Sequence, residues 1–132
     1  MVVHRGSCHC GKVKFEVDAP SNLEISECNC SICYMVGFQH IHVPKSRFRL
    51  LEGKDVLAVY KFNTKVARHY FCTYCGVKSF YVPRSHPDGI SVNARCLNQE
   101  TVSSIQVTPF DGKNWETNVH ELRMRTLYDE SD

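Results

Sequence analysis

The segment "ECNCSICYM", residues 27 to 35, sets cysteines at positions 28, 30 and 33. Thiols at i, i+2 and i+5 can reach one ion, because a short turn folds them toward a common point. Two further pairs lie on either side in the chain: Cys8 and Cys10 in "SCHCGK", Cys72 and Cys75 in "FCTYCGVK". Neither pair completes a tetrahedral zinc site alone, but together they supply the four sulfurs of a closed structural site. Gly11 and Gly76 follow these pairs at once, where the backbone can turn sharply and aim amide hydrogens at thiolate sulfur. Such a site staples the first strand to the middle of a sheet, so its binding energy, on the order of 10 kcal/mol, becomes folding energy. A redox role for Cys72 and Cys75 would expect a βαβ setting, which the pattern lacks.

The middle knot leaves two readings open. A fourth ligand from Cys96 or a histidine, with His40 and His42 nearest in sequence, would close a second structural site. With three thiolates alone, the fourth position holds water or substrate, as in catalytic zinc sites. Three thiolates make the ion electron-rich and a poor source of hydroxide. It is better suited to holding another thiolate or polarising a carbonyl oxygen. Cys96 otherwise reads as a small buried hydrophobe, and His9, between two ligands, as a surface residue or a neighbour of the site.

The elements that must position these knots read as strands. In "KVKFEVDAP", residues 12 to 20, Val13, Phe15 and Val17 alternate with Lys12, Lys14 and Glu16, the period of a half-buried strand. "NLEISECN", "HIHV" (40 to 43), "VLAVYKF" (56 to 62), "ARHYFC" (67 to 72), "VKSFYV" (77 to 82) and "GISVNAR" (89 to 95) continue in β-branched and aromatic residues. "RFRLLEGK", 47 to 54, is a solvated strand face, and "APSN", "VPKS", "EGKD", "YCGV" and "HPDG" are turns. Helix is confined to one turn in "SICYMVGF" and a short helix in "GKNWETNVHELR", anchored by Trp115. The expectation is an antiparallel all-β domain over residues 1–126 with a flexible tail, 127–132.

With 132 residues, 42% hydrophobic and 23% charged, the composition is that of a soluble globular domain. No apolar run has bilayer-spanning length, and "MVVHRGSCHC" is no signal peptide. These features point to a cytosolic or nuclear protein with reduced thiols, where clustered cysteines are metal ligands before they are disulfides. The formal charge of +2 and the scattered basic residues argue against a nucleic-acid partner. Ionising seven thiols and binding two zinc ions would take the net charge to about −1.

In order, "GSCHCGKVKFEV", "CNCSIC", "FCTYCGVKSFY" and "VNARCL" resemble the family of glutathione-dependent formaldehyde-activating enzymes. "ECNCSIC", "VPKSRFRLLEG" and "YVPRS" are most similar to the branch that contains centromere protein V. The resemblance implies a β-tent, small antiparallel sheets leaning together around a structural zinc held by Cys8, Cys10, Cys72 and Cys75. It makes Cys28, Cys30 and Cys33 the ligands of a second, catalytic zinc. The implied reaction is reversible addition of glutathione, or another small thiol, to formaldehyde, a carbon–sulfur lyase activity. Glutathione carries carboxylates, and Arg84 and Arg95, beside the matching segments, are the residues expected to meet them. Asn29 stands where many family enzymes have histidine. A zinc-braced interaction module without chemistry, as in the centromere-protein branch, is the competing expectation.

Overall fold

The computed structural model describes residues 1–62 and 67–111. The expected C-terminal helix, Trp115 and the 127–132 tail lie outside the described residues. Ten strands and one helix follow in order: β1 (Val2–Ser7), β2 (Lys14–Ala19), β3 (Asn22–Cys28), α1 (Ser31–Val36), β4 (Gln39–Pro44), β5 (Phe48–Glu52), β6 (Leu57–Tyr60), β7 (Arg68–Cys72), β8 (Phe80–Val82), β9 (Gly89–Asn93) and β10 (Ser104–Phe110). They form two sheets, β1-β2-β5 and β10-β3-β4-β9-β8-β7-β6. The all-β expectation holds, with small sheets leaning together and α1 the one α-helix among the described residues.

Alternation decides what each sheet buries. Val13, Phe15 and Val17 are fully buried, while the alternate Lys12 and Lys14 are exposed. Opposite them, the larger sheet contributes Ile41, Val43, Phe80, Val82, Ile90 and Val92. Aromatic rings tie the two layers: Phe15 to Phe48 at 5.6 Å, Phe48 to Phe80 at 4.7 Å, and Phe80 to Tyr70 at 5.3 Å between centroids. Each buried phenylalanine contributes about 2–3 kcal/mol of burial free energy.

The other face of the larger sheet is polar and aromatic. His42 pairs with Ser91, Ser91 with Tyr81, Tyr81 with His69, and His69 with Tyr60. Directly opposed residues share a face, so this one row runs from β4 to β6. His42, Ser91, Tyr81 and His69 are all buried, although they lie opposite the apolar core.

The structure corrects the sequence reading in three places. The sheets are not wholly antiparallel: β10 runs parallel to β3, from Ser104 beside Asn22 to Phe110 beside Cys28. A parallel pair needs a long connection, and nearly the whole domain lies between these strands. Strands β1 and β10 are additional elements. "VKSFYV" and "GISVNAR" are shorter strands than expected, because the chain enters β8 only after the Cys75 turn and Asn93 ends β9. The Asn93 side chain accepts the Arg95 amide and starts a 3-10 turn, Ala94–Cys96.

Strand β5 is less solvated than its charges suggest. Arg49 donates to both Asp18 carboxylate oxygens, at 2.8 and 3.0 Å, and to Glu16 at 3.2 Å. The Arg49 guanidinium holds the Asp18 carboxyl below its ordinary value. A depressed carboxyl stabilises the fold fully above about pH 4 and loses that contribution as pH falls through the lower folded value. Asp18→Asn should therefore lower stability at pH 7 by about 1 kcal/mol, since the pair is partly exposed. Thermal melts of wild type and variant should converge at strongly acid pH.

Candidate metal centres

The first centre is built by two reverse turns. Cys8 and Cys10 occupy the β1–β2 connection; Cys72 ends β7, and Cys75 lies in the turn after it. In the first turn, the Gly11 amide donates to the Cys8 carbonyl and the Cys8 amide to that of Val13. In the second, Gly76 donates to Cys72 and Cys72 to Val77. Gly11 and Gly76 have φ of 81° and 77°, a conformation that side chains with a Cβ resist. The turns also aim donors at sulfur: Val13 N–H at Cys8 Sγ and Tyr74 N–H at Cys72 Sγ, each 3.4 Å away.

The four sulfurs lie within 4.8 Å of one another. Cys8 and Cys10 Sγ are 3.6 Å apart, and Cys10 and Cys72 Sγ 3.7 Å. Four thiolates about 2.3 Å from a tetrahedral zinc stand about 3.8 Å apart, so this donor set fits zinc in both chemistry and spacing. His9, which the sequence placed on the surface or near the site, is exposed in the turn. Cys96 is half-buried against the core, as a small hydrophobe would be.

The second centre gathers Cys28 at the end of β3, Cys30 just before α1, and Cys33 within it. Their sulfurs also lie within 4.8 Å of one another. The Cys30 amide points at Cys28 Sγ, 3.5 Å away. Gly37 closes α1, its amide donating to Tyr34. The Asn29 amide nitrogen donates to Asp111 at 3.1 Å, and its backbone N–H donates to Phe110. Thiols this close cannot all ionise without a cation. Bonding within the set favours the Cys30 thiolate, pushes the Cys28 thiol up through its contact with Cys30, and pushes the Cys33 thiol up through its contacts with Cys28 and then Cys30. A divalent ion removes that conflict.

Of the fourth ligands open to the sequence, none joins this cluster among the described residues. His40 is buried nearby, its Nδ1 3.0 Å from Ser91 Oγ and 3.1 Å from Tyr81 Oη. Burial, then the Lys78 charge, pushes the His40 imidazole down to about 3, so it is neutral at physiological pH. His42 stacks on His40 at 5.6 Å and on His86 at 4.8 Å. Cys96 lies with the first centre, whose Cys8 and Cys75 act on its thiol.

Side chains that sequence reasoning did not single out complete the surroundings. Tyr81 is buried; burial, reinforced by all three thiols, holds its phenol well above the ordinary value, so it stays a hydrogen-bond donor. Lys78 is buried with Nζ 4.0 Å from the Tyr81 ring centre and 5.0 Å from that of Phe38. His69 stacks on Tyr81 at 4.9 Å and lies 2.6 Å from Lys78 Nζ. For the histidines of β4, the strand period is a sequence signal. In "HIHV" it assigns both histidines to the face opposite Ile41 and Val43.

The two proposed arginines differ. Arg95 is exposed, but its Nε donates to the Gly37 carbonyl at 3.1 Å, which puts it on the rim of the second centre. Arg84 is half-buried in the β8–β9 connection, next to Ser85 and His86.

An all-β chain carries a four-thiol cluster between its two sheets and a three-thiol cluster beside a buried polar face, and each cluster could hold a metal ion. Residues 3–111 match the family described as glutathione-dependent formaldehyde-activating enzyme, and the chain belongs to that family. A Rhodobacter sphaeroides protein, whose crystal structure was a structural-genomics target, is similar at 31% identity with a TM-score of 0.68. The match covers 79% of this chain and 99% of that one. Family membership assigns a function related to glutathione and formaldehyde. Among the described residues, no helix is long and apolar enough to cross a membrane.

Proposed function

We propose that the protein is a zinc-dependent carbon–sulfur lyase that forms or cleaves S-hydroxymethylglutathione or a related adduct of a small thiol with formaldehyde. The observation that carries this reading is the convergence of three thiols, from Cys28, Cys30 and Cys33, against a buried face of ionisable side chains. Cys8, Cys10, Cys72 and Cys75 hold a structural zinc, and the three-thiol set holds a second. A zinc ion in that second set supplies Lewis acidity, which polarises a carbonyl oxygen or favours the thiolate form of a visiting thiol.

The chain's own groups do the rest. Cys28, Cys30 and Cys33 set the position of the reacting centre. The Tyr81 hydroxyl donates toward it, and the buried walls of Phe38 and Tyr81 keep bulk water away. Arg95, and across the face Arg84, provide positive charge for the glutathione carboxylates. Nothing in this scheme needs a nucleic acid or a membrane, and cytoplasm is the compartment that suits reduced thiols and glutathione.

Exposed Tyr34, Met35 and Val36 on α1, directly beside the knot, favour a second reading, a zinc-braced interaction module without turnover. One measurement separates the two. Purified protein should contain about two zincs per chain, and NMR with carbon-13 formaldehyde and glutathione should show adduct exchange faster than in buffer. An exchange rate equal to that of buffer, in protein carrying both metals, would leave the interaction module.

A further inference from the structure

Lys78 is a buried cation without a carboxylate. Among the described residues it forms no ion pair with Asp or Glu; the groups that favour its charged form are Cys33 and Cys30 of the three-thiol centre. Only 7% of the residue is exposed. Its Nζ is enclosed by the Phe38 and Tyr81 rings and lies 2.6 Å from His69 Nδ1. A lysine nitrogen has hydrogens to give, so His69 Nδ1 accepts and the imidazole proton sits on Nε2. His69 thereby fixes one N–H of Lys78 and leaves the nitrogen lone pair free to be aimed elsewhere.

We propose that Lys78 is a nucleophilic amine that captures a small aldehyde covalently at the edge of the three-thiol centre. Its lone pair forms a bond to the carbonyl carbon as the C=O π pair moves to oxygen. The proton lost from nitrogen passes to that oxygen, giving a carbinolamine. Loss of water then gives a methylene imine on Nζ, and addition of water returns the free amine and aldehyde. No oxidant or reductant is required. His69 is a positioning residue, since it acts through Lys78.

Two physical points support the assignment. Desolvation is a recognised way to make a lysine nucleophilic, and here burial pushes the ammonium down to about 8. At pH 7 roughly a tenth of such an amine is uncharged, against less than about a thousandth for an ordinary lysine. The enclosure by Phe38 and Tyr81 also favours an aldehyde of few atoms.

The inference rests on the reading of this face as an aldehyde-handling site, and the test keeps the two apart. Metal-loaded full-length protein is incubated at pH 7 with equimolar formaldehyde, reduced with cyanoborohydride, digested, and analysed by mass spectrometry. The methyl increment should fall on Lys78 at least about tenfold more than on the exposed Lys45 and Lys54, as the difference in free amine requires. Modification of Lys45 and Lys54 with Lys78 untouched overturns the proposal. Lys78→Met should lose the increment while keeping its metal content.

Turnover of thiol with aldehyde is measured in parallel. A trapped Lys78 in a protein without turnover keeps the amine site and rejects the lyase. Turnover with an untrapped Lys78 does the reverse. Lys78→Arg preserves the positive charge but cannot form the imine. Full trapping in wild type with undiminished turnover in Lys78→Arg confines Lys78 to aldehyde capture; a loss of tenfold or more puts the imine on the reaction path.

Discussion

Cys72→Ser should leave the protein unfolded, or nearly so, at room temperature, whereas Cys28→Ser should leave it folded. Cys72 is fully buried in the core, and its sulfur lies 3.7 Å from that of Cys10, on the far side of the molecule's main layer boundary. Cys10 belongs to the turn that feeds β2 of the three-stranded sheet; Cys72 ends β7 of the seven-stranded one. An ion held there is a cross-link between sheets. A structural zinc contributes on the order of 10 kcal/mol to folding, which equals the whole stability of many domains. Serine cannot replace thiolate as a ligand, and the three remaining thiols would be left without a complete tetrahedral set. Circular dichroism melts with metal analysis check this directly. A Cys72→Ser protein that melts within a few degrees of wild type would show that packing alone joins the sheets.

The contrast follows from where the knots sit. Cys28, Cys30 and Cys33 belong to one local turn around a six-residue helix, which carries the exposed Tyr34 and Met35. A local knot closes only a short loop, so its loss releases little chain entropy.

This difference between local and distant order also explains what could be read beforehand. The period of Val13, Phe15 and Val17 is a local property, and it correctly marked β2 and its buried face. The cysteine spacings are local too, and each knot lies in the turn expected for it. The union of the Cys8 pair with the Cys72 pair was legible because tetrahedral coordination demands four ligands, a chemical constraint that acts across any sequence distance.

Lys78 and Tyr81 had no such signal. Their convergence on the three-thiol centre requires β8 to lie between β7 and β9, and β9 to lie against β4. Pairing of that kind is set by the assembled sheet. Lys78 also precedes β8, outside the regular alternation, so no period assigns it a face. Strand β10 was hidden for another reason. Pro109 within "SIQVTPF" reads as a strand breaker, but it is tolerated here because, among the described residues, β10 is an edge strand of its sheet. At Asn29, where the resemblance sets histidine in many family enzymes, the side chain fastens the knot to Asp111 beyond β10.

Cys30→Ser should abolish turnover, by about a thousandfold or more if the metal is essential, with almost no change in melting temperature. Cys30 is the middle thiol of the set, just before α1, and its sulfur lies within 4.8 Å of those of Cys28 and Cys33. A serine hydroxyl stays neutral at physiological pH, so the set keeps only two thiols able to ionise and hold a cation. The fold should survive because the Cys30 side chain belongs to the short α1 turn, while the four-thiol set that joins the sheets is untouched. Cobalt(II) in place of zinc gives a readout independent of activity, since thiolate-to-cobalt absorption reports the number of sulfur ligands. Wild type should bind two cobalt ions and Cys30→Ser one, and only in wild type should added glutathione change the spectrum. A glutathione-induced change that persists in Cys30→Ser would move thiol binding away from this knot, and would leave Cys28, Cys30 and Cys33 as a second structural clasp.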